Sequence, residues 1–339
     1  MPCSVCGKDS SSKCARCAQP YCSSFCQTQD WPAHKQDCKA KQIERTLFRA
    51  AQLFRECYYL FRKKTFEFDV RSIKKEGQDL VVKTGTIAGD ICGIFMRFPN
   101  ELFENEEDKH AVLSMKMCTL AHGYFHDFIT STLRDSNLSL HDLMIRVKPS
   151  PSTTILASQV SDPLFMSTWR FMHTVLLVRS RRLAREWVID ITGSQFGIAQ
   201  SAFSKEDYQK LYIDNIDVDE PFGRQNLIVK RTAQTDTQSG VRDLATLHAM
   251  ESFMEGVKIW ERQEGISLSK LLCVSDDEFH APKTKLLQHT GKSVDMFLQT
   301  SNFLPLMLQA LELERKEPGR GQRIQNEVNV EITFSNWKG

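Results

Sequence analysis

No apolar run in this 339-residue sequence approaches the ~18 to 20 residues that cross a bilayer, so a soluble chain is expected. GxGxxG and phosphate-loop patterns are absent, which leaves nucleotide chemistry without support. A strong charge of either sign is missing too: the formal net charge of +2 argues against broad electrostatic binding to nucleic acid or acidic lipid. There is no internal repeat and no low-complexity segment. Beyond residue 38 cysteine becomes scarce, with only Cys57, Cys92, Cys118 and Cys273, widely scattered. That usage suits a reducing compartment, cytosol or nucleus, and Met1 is followed at once by Pro2 and Cys3 rather than by an apolar leader. The 41% hydrophobic content leaves room for a small N-terminal module and about 300 further residues, enough for one large or two modest cores.

What is present is concentrated at the start. Cys3, Cys6, Cys14, Cys17, Cys22, Cys26, His34 and Cys38 follow the spacing Cx2Cx7Cx2Cx4Cx3Cx7Hx3C, four ligand pairs and enough for two tetrahedral zinc ions. Short spacings let one turn of chain offer two donors to one metal, and a closed four-ligand shell leaves no position for a reactive water. A disulfide framework is the competing reading. Seven local cysteines are an odd number, and the eighth position is a histidine, which can hold zinc but cannot form a disulfide. About 40 residues cannot bury enough apolar surface to offset chain entropy unaided, so metal binding and folding of this module are one event.

These residues resemble the MYND-type zinc finger at all eight ligand positions. Tyr21 before Cys22, the Cys22-Ser23-Ser24-Phe25-Cys26 run, the Gln29-Asp30-Trp31 segment, and His34-Lys35 ahead of Cys38 add to the likeness. The resemblance implies a cross-brace: Cys3, Cys6, Cys22 and Cys26 on one zinc, and Cys14, Cys17, His34 and Cys38 on the other. It also implies a protein-interaction module that takes short proline-containing peptides. Residues 27 to 45 are expected to be its helix, with Lys35, Lys39, Lys41 and Arg45 on a solvated face. Over residues 1 to 45 five Lys and two Arg against three Asp and one Glu leave +3, too little for a nucleic-acid arm.

The expected organisation is α+β: the finger at 1–45, then a mixed helix and antiparallel-strand domain at 46–339. Apolar residues from Ile43 to Phe61 keep helical spacing, so no flexible linker is expected. Short β-type runs follow (Phe66 to Val70, Val81 and Val82, Ile91 to Phe98), punctuated by Gly77, Gly85, Gly89 and Gly93. Residues 107 to 133 read as helix, and Pro149, Ser150, Pro151 and Ser152 as loop. Two strands are expected at His173 to Val178 and Trp187 to Ile191. The Arg179, Arg181, Arg182 and Arg185 stretch between them reads as an exposed hairpin turn, since no aromatic is interleaved for base stacking. Amphipathic helices run from Val241 to Trp260 and from Met296 to Leu313 with Pro305 as a break, and the chain is expected to end in a strand, Val328 to Phe334.

A histidine opening one strand and an aspartate closing the next can lie side by side, and His173 and Asp190 are so placed. The segment from Trp187 to Gly197 with His173 resembles the His and Asp strands of papain-like and transglutaminase-like cysteine enzymes, whose nucleophile comes earlier in the chain. Cys118 does so here. The resemblance implies a triad in which a Cys118 thiolate attacks a carbonyl, His173 moves the proton and Asp190 fixes its tautomer. A helix starting near Asp108 would put Cys118 about three turns inside, on an apolar face where cysteine is usually a small hydrophobe. Cys92 is a second candidate, in a glycine-flanked run. On the bland reading Asp190, Thr192 and Gln195 only shape the turn before Gly197, and a fold can outlive its chemistry.

Other enzyme classes have less support. No Asn-His-Ser-Cys segment or second cysteine cluster points to a SET-domain methyltransferase. His122 and His126 stand four apart with no acidic base between them, unlike a zincin. The leading expectation is an adaptor or regulator acting through its finger, in transcriptional regulation; the alternative is a cysteine hydrolase or acyltransferase.

Overall fold

The computed structural model describes residues 1–15, 17–85, 91–149, 152–157 and 172–335. Gly89, Ser150 and Pro151, which the sequence marks as punctuation, lie outside them.

A two-stranded ribbon, β1 (Ser12–Lys13) and β2 (Pro20–Tyr21), leads into α1 (Ser24–Lys64). Ser23 caps α1 by accepting a hydrogen bond from the Cys26 amide at 3.3 Å. The helix starts three residues before the expected 27 and runs on through residue 45. At 41 residues it is about 60 Å long, and Pro32 lies inside it. Its first third belongs to the finger. Its last third, with Leu53, Phe54, Cys57, Tyr58 and Phe61 buried, is the central rod of the body.

Next come β3 (Val70–Glu76) and β4 (Asp79–Thr84), an antiparallel hairpin on which β6 (Thr154–Ala157) later adds as a parallel strand. The expected run at Ile91 to Phe98 is not a strand. It is a tight turn closed by one bridge between Ile91 and Phe95, because Cys92 and Gly93 both take positive φ, which no extended strand tolerates.

The expected single helix at 107–133 is three: α2 (Glu106–Ser114), α3 (Cys118–Tyr124) and α4 (His126–Leu133). The first break lies at Met115 to Met117, where Lys116 adopts φ of 56° and stops helical hydrogen bonding. Phe125 and Phe128 of this region meet Phe54, Phe61 and Phe253 edge-on or tilted at centroid distances of 5.3 to 5.8 Å, an aromatic cluster that seats this region on α1.

The main sheet is antiparallel throughout, in the order β10-β5-β7-β8-β9, from β5 (Ser139–Val147), β7 (Met172–Ser180), β8 (Arg185–Ile189), β9 (Ala202–Ser204) and β10 (Ile213–Pro221). Side chains alternate between its faces. Leu176, Val178, Trp187 and Ile189 join the helical core, whereas Val175, Leu177, Val188 and Phe203 form a second core with Phe196 and Tyr208. Both faces are covered, which is why β7 reads as one nearly unbroken apolar run. Tyr208 comes from α5 (Lys205–Tyr212). The remainder is helical: α6 (Arg224–Thr232), α7 (Gln238–Glu264), α8 (Leu268–Leu271), α9 (Asp276–Thr300), α10 (Leu304–Lys316) and α11 (Arg320–Ser335). Pro305 stands in the first turn of α10, where its missing N–H breaks no bond. The expected C-terminal strand is α11 instead. Val328 and Ile332, four apart, are buried while Val330 is 54% exposed, so the alternation in the sequence was helical spacing seen through a short window.

Candidate metal centre and active site

The sulfurs of Cys3, Cys6, Cys22 and Cys26 lie within 4.8 Å of one another, as do the donor atoms of Cys14, Cys17, His34 and Cys38. The chain therefore interleaves its ligand pairs as the cross-brace requires. A tetrahedron with Zn–S bonds of ~2.3 Å has edges of about 3.8 Å. The separations Cys6–Cys22 (3.4 Å), Cys22–Cys26 (3.5 Å), Cys6–Cys26 (3.9 Å) and Cys14–Cys38 (3.8 Å) are close to that edge, and far longer than the ~2.0 Å of a disulfide. His34 turns Nε2 to within 3.2 Å of Cys17 Sγ. His34 and Cys38 share one face of α1 by their four-residue spacing.

Hydrogen bonds to the neighbouring thiols push Cys22 up to about 12, and burial with the Cys14 contact pushes Cys38 up to about 12. Thiols so crowded give up their protons to a dication, not to water. The two clusters fit two zinc ions. Around them Tyr21, fully buried, donates to Asp30 Oδ2 at 2.6 Å, and the Tyr21 and Trp31 rings meet the edge of His34 at 6.0 and 6.1 Å. Phe25, between two ligands, is 75% exposed. A cleft of about 450 Å³ separates finger from body, lined by Ala15, Ile43, Thr46, Leu133, Leu138 and Leu272.

The body brings the second set of expected residues together. His173 Nε2 donates to Asp190 Oδ1 at 2.9 Å, and neither side chain is exposed. Asp190 also accepts the Tyr208 hydroxyl at 2.8 Å and the Thr192 amide at 3.2 Å. Its carboxylate is thus fully engaged: burial works to raise its pKa, but the His173 charge and these donors hold it below the usual range. Burial works to lower His173, and the Asp190 charge overcomes this and carries it to about 10. The other ring nitrogen, Nδ1, is buried without a hydrogen-bond partner. Burial pushes the Cys118 thiol up, yet the neighbouring His173 outweighs it and leaves the thiol below its ordinary value.

Cys118 does not lie three turns inside a helix; it is the first residue of α3, and the Thr174 amide of β7 helps to lower its thiol. Thr119 Oγ1 lies 3.0 Å from Thr174 Oγ1 and ties this helix start to β7 beside His173. The Phe196 ring meets the His173 ring edge-on at 5.0 Å. The arrangement can hold a thiolate–imidazolium pair oriented by a buried carboxylate. Cys92 is a different case: burial pushes its thiol up.

Residues 3–38 match the family model of the MYND finger. This segment is a MYND finger. A stretch of 39 residues, 11% of the chain, is 56% identical to ubiquitin carboxyl-terminal hydrolase 19 of Arabidopsis thaliana and spans only 6% of that protein. No solved structure matches the chain, so the papain-like or transglutaminase-like likeness of the body has no structural relative behind it.

Beyond the MYND finger, two participants escaped the sequence reading. Tyr208 lies 18 residues from Asp190 with no motif to announce it, and only the packing of α5 against the sheet brings them together. Gly193 is needed for close approach: a Cβ there would stand 2.3 Å from Asp190 Oδ2. His122 and His126 do not converge on a metal. His122 Nδ1 pairs with buried Asp142 at 2.7 Å, and His126 stacks on Phe222. The arginine stretch is a hairpin turn: Arg181 and Arg182 are exposed, and Arg179 pairs with Glu186 and Asp219.

Proposed function

We propose that the chain is a cysteine-dependent acyl-transfer enzyme, a hydrolase or acyltransferase, whose MYND finger docks it to protein partners. The observation that carries this reading is the wholly buried His173–Asp190 pair beside a thiol at a helix start. A buried ion pair contributes little to stability in itself, and a hydrophobic pair of equal volume would serve a core as well or better. Chemistry is what such a pair is suited to. Cys118 Sγ attacks a carbonyl carbon, His173 passes the proton to the leaving group, and Asp190 keeps Nε2 protonated so that Nδ1 faces the thiol. Water or a second acceptor then takes the acyl group.

The second reading is an adaptor or regulator without catalysis, binding short proline-containing peptides in transcriptional regulation. Exposed Phe25 and the cleft between finger and body favour it. For either reading we infer the cytosol or nucleus, where the seven zinc-ligand cysteines and a free thiol stay reduced. Reaction with a thiol-directed electrophile at near-neutral pH separates the two. Selective modification of Cys118 that disappears on His173→Ala supports the enzyme; slow, uniform labelling of all accessible cysteines refutes it and leaves the adaptor.

A further inference from the structure

Lys116, two residues before the thiol's helix, is held in place by a side chain from the far side of the His–Asp pair. The Lys116 amide donates to Gln195 Oε1 at 3.2 Å, and Gln195 Nε2 donates to the Thr192 carbonyl at 3.3 Å. The Thr192 amide donates in turn to Asp190, which holds His173, and Thr174 next to it on β7 lies 3.0 Å, hydroxyl to hydroxyl, from Thr119 in the first turn of α3. The chain of contacts thus closes on itself, starting and ending at the junction of α2 and α3. Gln195 is buried, with 8% exposure, and the partners fix its amide orientation, since only an oxygen can accept from Lys116 and only a nitrogen can donate to Thr192.

This contact falls at the one position that decides where Cys118 stands. Lys116 is left-handed at φ of 56°, a conformation costly for a residue with a Cβ, and it separates α2 from α3. Lys116 is the second central residue of a turn whose first, Met115, has ψ of 124° and which the Met117 amide closes on the Ser114 carbonyl at 3.2 Å; were the whole turn to relax to right-handed helix, α2 would run on into α3 and Cys118 would sit in mid-helix with its amide spent on an intrahelical bond. We propose that Gln195 is a positioning residue that clamps Lys116 in its left-handed turn and so keeps Cys118 at the start of α3, facing His173. The inference rests on the cysteine-enzyme reading above. A bare turn-shaping role would need the Thr192 contact alone; the Lys116 contact is what it leaves unexplained.

The test is the pH profile of iodoacetamide alkylation at Cys118 in the zinc-loaded full-length chain, read by peptide mass spectrometry, with exposed Cys273 as the internal standard. Gln195→Met keeps volume and removes both hydrogen bonds. It is expected to lower the Cys118 rate about tenfold at pH 7 and move the rise to higher pH, with Cys273 unchanged. Adding Lys116→Gly, which makes the left-handed turn cheap, is expected to restore the profile. If Gln195→Met does not fold, Gln195→Ala, which also removes both hydrogen bonds, takes its place and is expected to give the same shift. A wild-type profile in the Gln195 variant that folds, or no recovery when Lys116→Gly is added to it, overturns the proposal. Wild-type Cys118 titrating just as Cys273 does overturns the cysteine-enzyme reading instead.

Discussion

Asp190→Asn is the sharpest single perturbation, because it removes the charge while keeping the shape. His173 is carried from 6.5 to about 10, which sets a ceiling on the order of 5 kcal/mol on what its surroundings give the imidazolium, and Asp190 is the principal donor of that energy. Breaking a buried pair at one end typically costs ~3–5 kcal/mol when the other charge is trapped. Here it is not trapped. Freed from Asp190, His173 loses its proton at pH 7 for less than about 1 kcal/mol, since burial already favours the neutral ring. The stability loss at pH 7 should therefore stay under that ceiling, at ~2–4 kcal/mol, from the forfeited imidazolium and from imperfect hydrogen bonding at Tyr208 and Thr192. Reactivity should suffer far more, because the neutral ring no longer holds the Cys118 thiolate.

The linkage has a definite sign. Raised His173 contributes stability that is complete below about pH 6.5 and lost as pH rises through about 10; lowered Asp190 contributes stability present above about pH 3.8 and lost as pH falls further. Asp190→Asn should flatten both limbs of a urea-midpoint profile and push the Cys118 alkylation limb to higher pH. Wild-type alkylation rates at pH 6 to 7 in the variant would refute the reasoning.

Metal analysis should find two zinc ions per chain. Chelation should expose amides of residues 3–38 to hydrogen exchange while the aromatic cluster around Phe125 stays protected. Gly193→Ala forces a methyl against Asp190 Oδ2 and should cost ~1–3 kcal/mol in chemical denaturation, with a loss of Cys118 reactivity that a remote surface substitution does not produce. Burial lifts Asp243 to about 7 despite the Tyr124 hydroxyl it accepts. Stability from this group is complete below about pH 3.8 and lost as pH rises through 7, by up to about 4 kcal/mol; Asp243→Asn should remove that slope from thermal melts between pH 4 and 7.

The sequence by itself determined the finger. Its ligands are local, successive ones three to eight positions apart, and metal geometry leaves such donors few arrangements, so spacing was enough to announce eight positions and two ions. It also determined β7, β8 and the His173–Asp190 neighbourhood, because a hairpin fixes which residues face each other. The setting of Cys118 was decided only in three dimensions. Locally the 107–133 segment has helical character throughout, and nothing in Met115-Lys116-Met117 marks a stop. The break is a turn in which Met115 is extended, Lys116 is left-handed and the Met117 amide reaches the Ser114 carbonyl, and there the Lys116 amide finds Gln195, 79 residues away. Tyr208 joined Asp190 the same way, and α11 became a helix because Val328 and Ile332 found a surface to pack on. Local pattern governs where the determining contacts are close in sequence; where a conformation costs energy locally and is repaid by a distant side chain, only the assembled fold can choose it.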